Sequence, residues 1–239
     1  MNFLKRNALW LLPILLMLLI TPFTPSLDMA VANWAYHNNI AGVPSATHHG
    51  FSSNTLFDLM YKFGCIPAQA TCGIAAFLFA LSFRYPQLKS SRQTTLTLSL
   101  CMLIGAGILT HTFFKECWGR PRPRQIVEFG GPLKYRPYYK PLLEKQPIPS
   151  KSFPSGHSTC GFYFFCLFFL GRRANNNWLK ATGLILGLGL GILLSIARII
   201  QGGHFLSDTF FAALIMWETA YFVDWLVFTY KPVAKRLGH

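Results

Sequence analysis

The chain has 239 residues, 52% of them hydrophobic and only 13% charged, with a mean hydropathy of +0.34. That composition excludes an ordinary water-soluble domain and a disordered chain, and it fits a protein that crosses a membrane several times. The 22 Lys and Arg against 8 Asp and Glu leave a net charge of +14, which in a membrane protein is read by loop position; no nucleic-acid partner is expected.

Apolar runs of about 18 residues or more can cross a hydrocarbon core of roughly 30 Å as helices. Six are predicted, over residues 7–26, 65–83, 95–114, 157–171, 178–201 and 206–229. None carries the Lys and Glu face of a soluble amphipathic helix. The fourth is short and reaches span length only by starting inside the preceding loop. The expected fold is an all-α bundle of six transmembrane helices, a single domain over residues 1–239, with no internal repeat.

The connections set the orientation. Lys5 and Arg6, then Arg84, Lys89 and Arg92, then Arg172, Arg173 and Lys180, and finally Lys231, Lys235 and Arg236 all fall on one side. By the positive-inside rule that side is the cytoplasm. The first outer connection, residues 27–64, has Lys62 as its one basic residue. Residues 115–156 run against the rule, with nine Lys and Arg on the outer side. Ala30-Val31-Ala32 loosely fits a signal-peptidase site, so cleavage of the first span is an alternative. The six cysteines lie in or beside apolar runs with no CxxC pair, which reads as packing thiols rather than a disulfide or zinc framework.

Three polar segments reach the outer face. Span three ends in HTFFKECWGRPRPRQIVEFGG, span four follows KSFPSGHST, and spans five and six meet at RIIQGGHFLSD. Each has an ordinary reading: a snorkelling lysine, a helix cap, a satisfied His and Asp pair. Together their chemistry points to phosphate. Lys115, Arg122 and Arg198 are the cation types that hold phosphoryl oxygens. Ser155, Gly156 and His157 stand at an expected helix N-terminus, where exposed amides and the helix dipole favour an anion. His204 and Asp208 are four apart, so on a helix the carboxylate can hold one imidazole nitrogen while the other faces a substrate. Arg198, an ionisable group beside a span, is a functional signal by itself. Glu218 and Asp224 lie in span six, the first read as paired inside the bundle and the second as solvated.

Lys115 with Arg122-Pro123, then Pro154-Ser155-Gly156-His157, then Arg198 with His204 and Asp208, resembles the three-part signature of the type 2 phosphatidic acid phosphatase superfamily. Ala197 departs from it, where the family usually has serine before the arginine. The resemblance implies a membrane phosphatase that needs no metal or cofactor and acts on a phosphorylated lipid. In it His204 attacks phosphorus to form a phosphohistidine and Asp208 orients it. His157 protonates the leaving oxygen and later activates water, while Lys115, Arg122, Arg198, Ser155 and the Gly156 amide hold the phosphoryl oxygens. GRPRPRQIVEFGGP, residues 119–132, is similar to the lipid A 1-phosphatases of Gram-negative bacteria. It implies the 1-phosphate of lipid A as substrate and a bacterial inner membrane with the site facing the periplasm. Trp118, Phe129, Tyr135, Tyr138, Tyr139 and Phe153 are expected at the membrane interface. Undecaprenyl diphosphate and phosphatidylglycerol phosphate remain open as substrates, as does phosphotransfer; a phosphate transporter is the alternative of another class. The oligomeric state stays open.

Overall fold

A computed structural model describes residues 3–38, 50–144 and 148–230. Lys145, Lys231, Lys235 and Arg236, counted above among the loop charges, lie outside the described residues, as do the side chains of Lys5 and Arg6. Among the described residues the protein is helical, with one isolated bridge between Ile126 and Leu133.

The first helical run comprises α1 (Phe3–Ile20), a 3-10 turn at Thr21–Phe23 and α2 (Thr24–His37). It extends well past the expected end at residue 26. Thr21 and Thr24 satisfy the turn by donating to the carbonyls of Met17 (2.7 Å) and Thr21 (2.8 Å). The expected outer connection 27–64 is therefore helical at both ends, since α3 (Thr55–Phe63) follows, capped by Asn54, which accepts from the Phe57 amide. Ala30-Val31-Ala32 lies inside α2, with Ala32 buried.

The second run continues through α4 (Ile66–Leu81). The third passes from α5 (Arg92–Cys101) into a π-helical stretch, Met102–Phe114, and ends in one short turn, α6 (Lys115–Cys117). Together with α9 (Asn177–Ile200) and α10 (Leu206–Phe228), these make five continuous runs long and apolar enough to cross a membrane.

The fourth expected span is not one helix. It is α7 (Gly156–Phe162) and α8 (Phe165–Arg173), parted by a turn at Tyr163 and Phe164. Phe162, Tyr163, Phe164, Phe165 and Cys166 are all buried, so the break is wrapped by protein, where irregular backbone at membrane depth is tolerated. The closing bonds run from Cys166 N–H to the Tyr163 carbonyl (3.1 Å) and from Leu167 N–H to the Phe164 carbonyl (3.0 Å).

Small residues let this broken element sit against α9. A Cβ on Gly161 would fall 2.5 Å from the Gly191 backbone, and one on Gly183 would fall 2.3 Å from the Phe168 amide. Such close backbone approach is the usual basis of helix association in lipid. The outward faces stay apolar, with Leu19, Phe77 and Ile185 more than half exposed, as expected of lipid-facing side chains. Asp224 is not solvated: it is buried and accepts a two-pronged pair from Arg173. Glu218 does not pair, since its Oε1 is buried with no partner among the described residues. All six cysteines are free, and Cys101, Cys160 and Cys166 are buried.

Candidate active site

The site forms where α6, α7, α9 and α10 end or begin at one face of the bundle. Gln201-Gly202-Gly203 turns the chain out of α9. Gly202 has φ +61°, and a Cβ there would strike the Phe51 ring at 2.5 Å. A Cβ on Gly203 would fall 2.3 Å from the Arg198 guanidinium. The two glycines thus let His204 come back over Arg198.

His204 does not sit on the helix with Asp208. The helix begins at Leu206, and Asp208 lies in its first turn, accepting the Phe205 amide at 2.9 Å. His204 precedes it in the turn, with Nδ1 3.6 Å from Asp208 Oδ2, too far for a hydrogen bond. The reason is that Asp208 is already engaged. Ser152 Oγ donates to Oδ2 at 2.5 Å and Arg120 donates to Oδ1. Burial pushes the His204 imidazole down to about 3, against the opposing pull of Asp208. The ring is therefore neutral near pH 7, with a lone pair to offer.

Lys115, Arg122 and Arg198 converge as expected and lie close enough to feel one another's charge. A Cβ on Gly156 would fall 3.2 Å from Lys115 Nζ, so the missing side chain leaves the ammonium its place. Burial, then the charge of Arg124, holds the Arg122 guanidinium below its ordinary value. Arg198 is buried; its Nη1 donates to Gln201 Oε1 at 2.5 Å, and its Nε has no partner among the described residues. Ser155 caps α7, accepting from the Ser158 amide (3.4 Å) and hydroxyl (2.7 Å). Ser195, near the position where the signature carries serine, donates to Ser158 Oγ (2.8 Å) and the Gly191 carbonyl (2.6 Å), so it fastens α9 to α7.

His157 is half-buried and stacks on Tyr61 with ring centroids 5.0 Å apart, its Nε2 2.9 Å from the Tyr61 carbonyl oxygen. The guanidinium of Arg198 lies over the same Tyr61 ring, 4.5 Å from its centroid. Gln201 Nε2 in turn donates to Ser53 Oγ (2.9 Å) and Asp58 Oδ1 (3.1 Å). The segment from Ser53 to Tyr61 thus covers the site, which the sequence reading missed because those residues carry no motif. Arg120 and Ser152 were missed too. Arg120 is camouflaged by Arg122 and Arg124 in GRPRPR, and Ser152 by the polar stretch before PSGH. His111, beside Gly156, is a further missed neighbour.

The basic outer connection now has its reason. Lys115, Arg120 and Arg122 fold inward, and Lys151 pairs with Glu116 at 2.5 Å. The expected interfacial aromatics mostly pack inside. Phe153 and Tyr138 are buried, Phe153 stacks on Trp118 and Tyr138 and meets Phe211 at a tilt, Tyr135 donates to Asp28 at 3.0 Å, and Tyr139 stays exposed. The EFGG element is also a packing device. Phe129 is buried against Tyr36 and Phe51, Gly130 takes φ +79°, and a Cβ on Gly131 would fall 2.2 Å from the Gln125 backbone. Among the described residues no group of three His, Cys, Asp or Glu side chains comes together to hold a metal ion.

The PAP2 superfamily matches this chain over residues 94–232. A lipid A 4′-phosphatase of Francisella tularensis subsp. novicida is 29% identical over 141 residues, covering 59% of this chain and 61% of that protein. Lipid A 4′-phosphatases of Rhizobium leguminosarum and Rhizobium etli are each 32% identical over 107 residues, 45% of this chain and 43% and 39% of theirs. The chain thus spans about three fifths or less of the length of these curated relatives. No solved structure matches it significantly.

Proposed function

The chain belongs to the PAP2 superfamily, and from that premise we propose that it removes a phosphate from lipid A through a phosphohistidine on His204. One observation carries the reading: Arg198 is buried with its Nε unpartnered among the described residues, close to Lys115 and Arg122. Asp208, the carboxylate beside His204, is already engaged by Arg120 and Ser152. Buried cations left without a counter-ion are costly, and a phosphoryl group would fill that place with charge-assisted hydrogen bonds.

The steps follow from the geometry. His204 Nδ1 faces Asp208, so Nε2 is the atom left to attack phosphorus. As the P–N bond forms, the P–O bond to the sugar breaks and His157 gives its proton to the leaving oxygen. Water then gives a proton to His157 and attacks phosphorus; the P–N bond breaks and inorganic phosphate leaves. Lys115, Arg122, Arg198, Ser155 and the Gly156 amide hold the oxygens on which charge develops.

The position proposed is the 4′-phosphate. The relatives named above are 4′-phosphatases, whereas the expectation of the 1-phosphate rested on the resemblance of GRPRPRQIVEFGGP, residues 119–132. The proposed setting is a bacterial inner membrane with the site facing the periplasm, since Arg84, Lys89, Arg172 and Lys180 stand on the opposite side. Reporter fusions at residue 140 should read as periplasmic; a cytoplasmic signal there overturns the orientation.

The test is to incubate the purified protein with bis-phosphorylated lipid A and with its 1- and 4′-monophosphates, using undecaprenyl diphosphate and phosphatidylglycerol phosphate as competitors. Mass spectrometry should show loss of the 4′-phosphate as inorganic phosphate. Loss of the 1-phosphate alone overturns the position, and phosphate release from the competitors alone overturns the lipid.

A further inference from the structure

Asp28 sits in α2, outside the residues matched to the family, yet it is built into the site. Its Oδ2 accepts Arg120 Nη2 at 2.7 Å and Ser207 Oγ at 2.7 Å, its Oδ1 accepts the Ser207 amide at 2.8 Å, and Tyr135 donates to it at 3.0 Å. Arg120 bridges onward. Its Nη1 donates to Asp208 Oδ1 and to Ser207 Oγ (2.9 Å), its Nε donates to the Arg136 carbonyl (2.9 Å), and the Phe205 ring lies 4.6 Å from the guanidinium. The side chains of Asp28, Arg120 and Asp208 are at most 1% exposed.

Such a triad needs a reason, because burying three charges costs more desolvation than their pairing usually returns. The charge count supplies one. A buried Asp208 needs a cation to stay ionised, and Arg120 is that cation. Arg120 alone would cancel Asp208, and the positive charge developing on His204 during attack would then face a neutral pair. With Asp28 the trio keeps a net charge of −1 at the imidazole, while both faces of the guanidinium fork are fixed.

We infer that Asp28 and Arg120 are positioning residues of the phosphoryl-transfer site, acting through Asp208 to hold a net negative charge against His204. This rests on the phosphatase reading. The first helical run is therefore part of the catalytic apparatus as well as a membrane anchor.

The experiment uses the full chain in detergent with a radiolabelled phosphorylated glycolipid, rapid quench to trap the phosphoenzyme, and thermal melting in parallel. Asp28→Asn keeps the shape and one acceptor oxygen but removes the charge and turns the other acceptor into a donor. It should slow phosphoenzyme formation roughly 10- to 100-fold, the usual size for an outer partner of a reacting group, with KM changed less than about twofold. Asp28→Glu restores the charge and should recover part of the rate. If the unmodified protein itself takes no label on His204, the phosphatase reading fails. If it labels and Asp28→Asn labels at the same rate, the inference fails while that reading stands. Equal losses in Asn and Glu variants that track only a fall in melting midpoint would also overturn it, because charge would then be irrelevant.

Discussion

Arg173 at the end of α8 and Arg198 in the last turn of α9 both stand at the ends of apolar helices, and they are treated in opposite ways. Arg173 is charge-paired: its Nε and Nη2 donate to Asp224 at 2.8 and 2.7 Å, and Nη2 also donates to Thr229 at 2.8 Å. Arg198 is the more deeply buried, yet it keeps Nε unpartnered and has a neutral Gln201 in place of a carboxylate. With eight acidic residues in the whole chain, placing two of them, Asp28 and Asp208, on Arg120 leaves the cations around His204 uncompensated. A pair that only holds helices together is neutralised. The site proposed for an anion is not, and charge compensation separates these two arginines more clearly than burial does.

The largest test of that contrast is His204→Ala, which should abolish turnover and the trapped phosphoenzyme together, because no P–N bond can form without the ring. His157→Ala should behave differently, slowing both steps about 10²- to 10⁴-fold while a substrate with a better leaving group partly restores phosphoenzyme formation. Label on His204→Ala at the level of the unmodified protein would overturn the assignment.

Next in size, Arg198→Ala should lower kcat/KM by about 10²- to 10³-fold, in line with losing one preorganised donor to a developing anion. Arg173→Ala should leave kcat close to unchanged and lower stability by about 1 to 3 kcal/mol, since Asp224 would stay buried without its partner. A melting curve and a progress curve on each variant suffice; equal kinetic effects of the two would remove the distinction.

A smaller effect concerns pH. Because His204 is held in the folded state well below its unfolded value of 6.5, to about 3, protonation favours the unfolded chain. The stability it contributes is present above pH 6.5 and falls as the pH drops from there towards 3. His204→Gln should flatten that part of the melting profile, and an unaltered acid slope would contradict it. The smallest expected effect is that of chelation: phosphate release should continue in EDTA, because Lys115, Arg122 and Arg198 supply the positive charge. Loss of activity that magnesium restores would count against this.

Much of the site was legible because its groups are chemically unusual for an apolar chain. Arg198, His204 and Asp208 stood out in RIIQGGHFLSD, and Lys115, Arg122 and His157 by spacing. The broken fourth span was hidden, since an apolar run of Phe and Leu reads the same whether it is one helix or two; only its wrapping by α9 and α10 makes the turn at Tyr163 tolerable. His204 and Asp208 do meet, Nδ1 to Oδ2 at 3.6 Å, but not on the shared helix face that a spacing of four suggests, because the chain enters the helix between them. Arg120 and Asp28 were invisible as a pair because 92 positions separate them.

Composition and hydropathy by themselves determined that this is a helical membrane protein, and the residue types at three segments pointed to the phosphate chemistry proposed for them, since apolar length and cation chemistry are local properties of the chain. Which arginine is neutralised and which is left free, and that the first helical run reaches into the site, were decided only by the tertiary structure, because charge compensation in a low-dielectric interior depends on which groups meet in space.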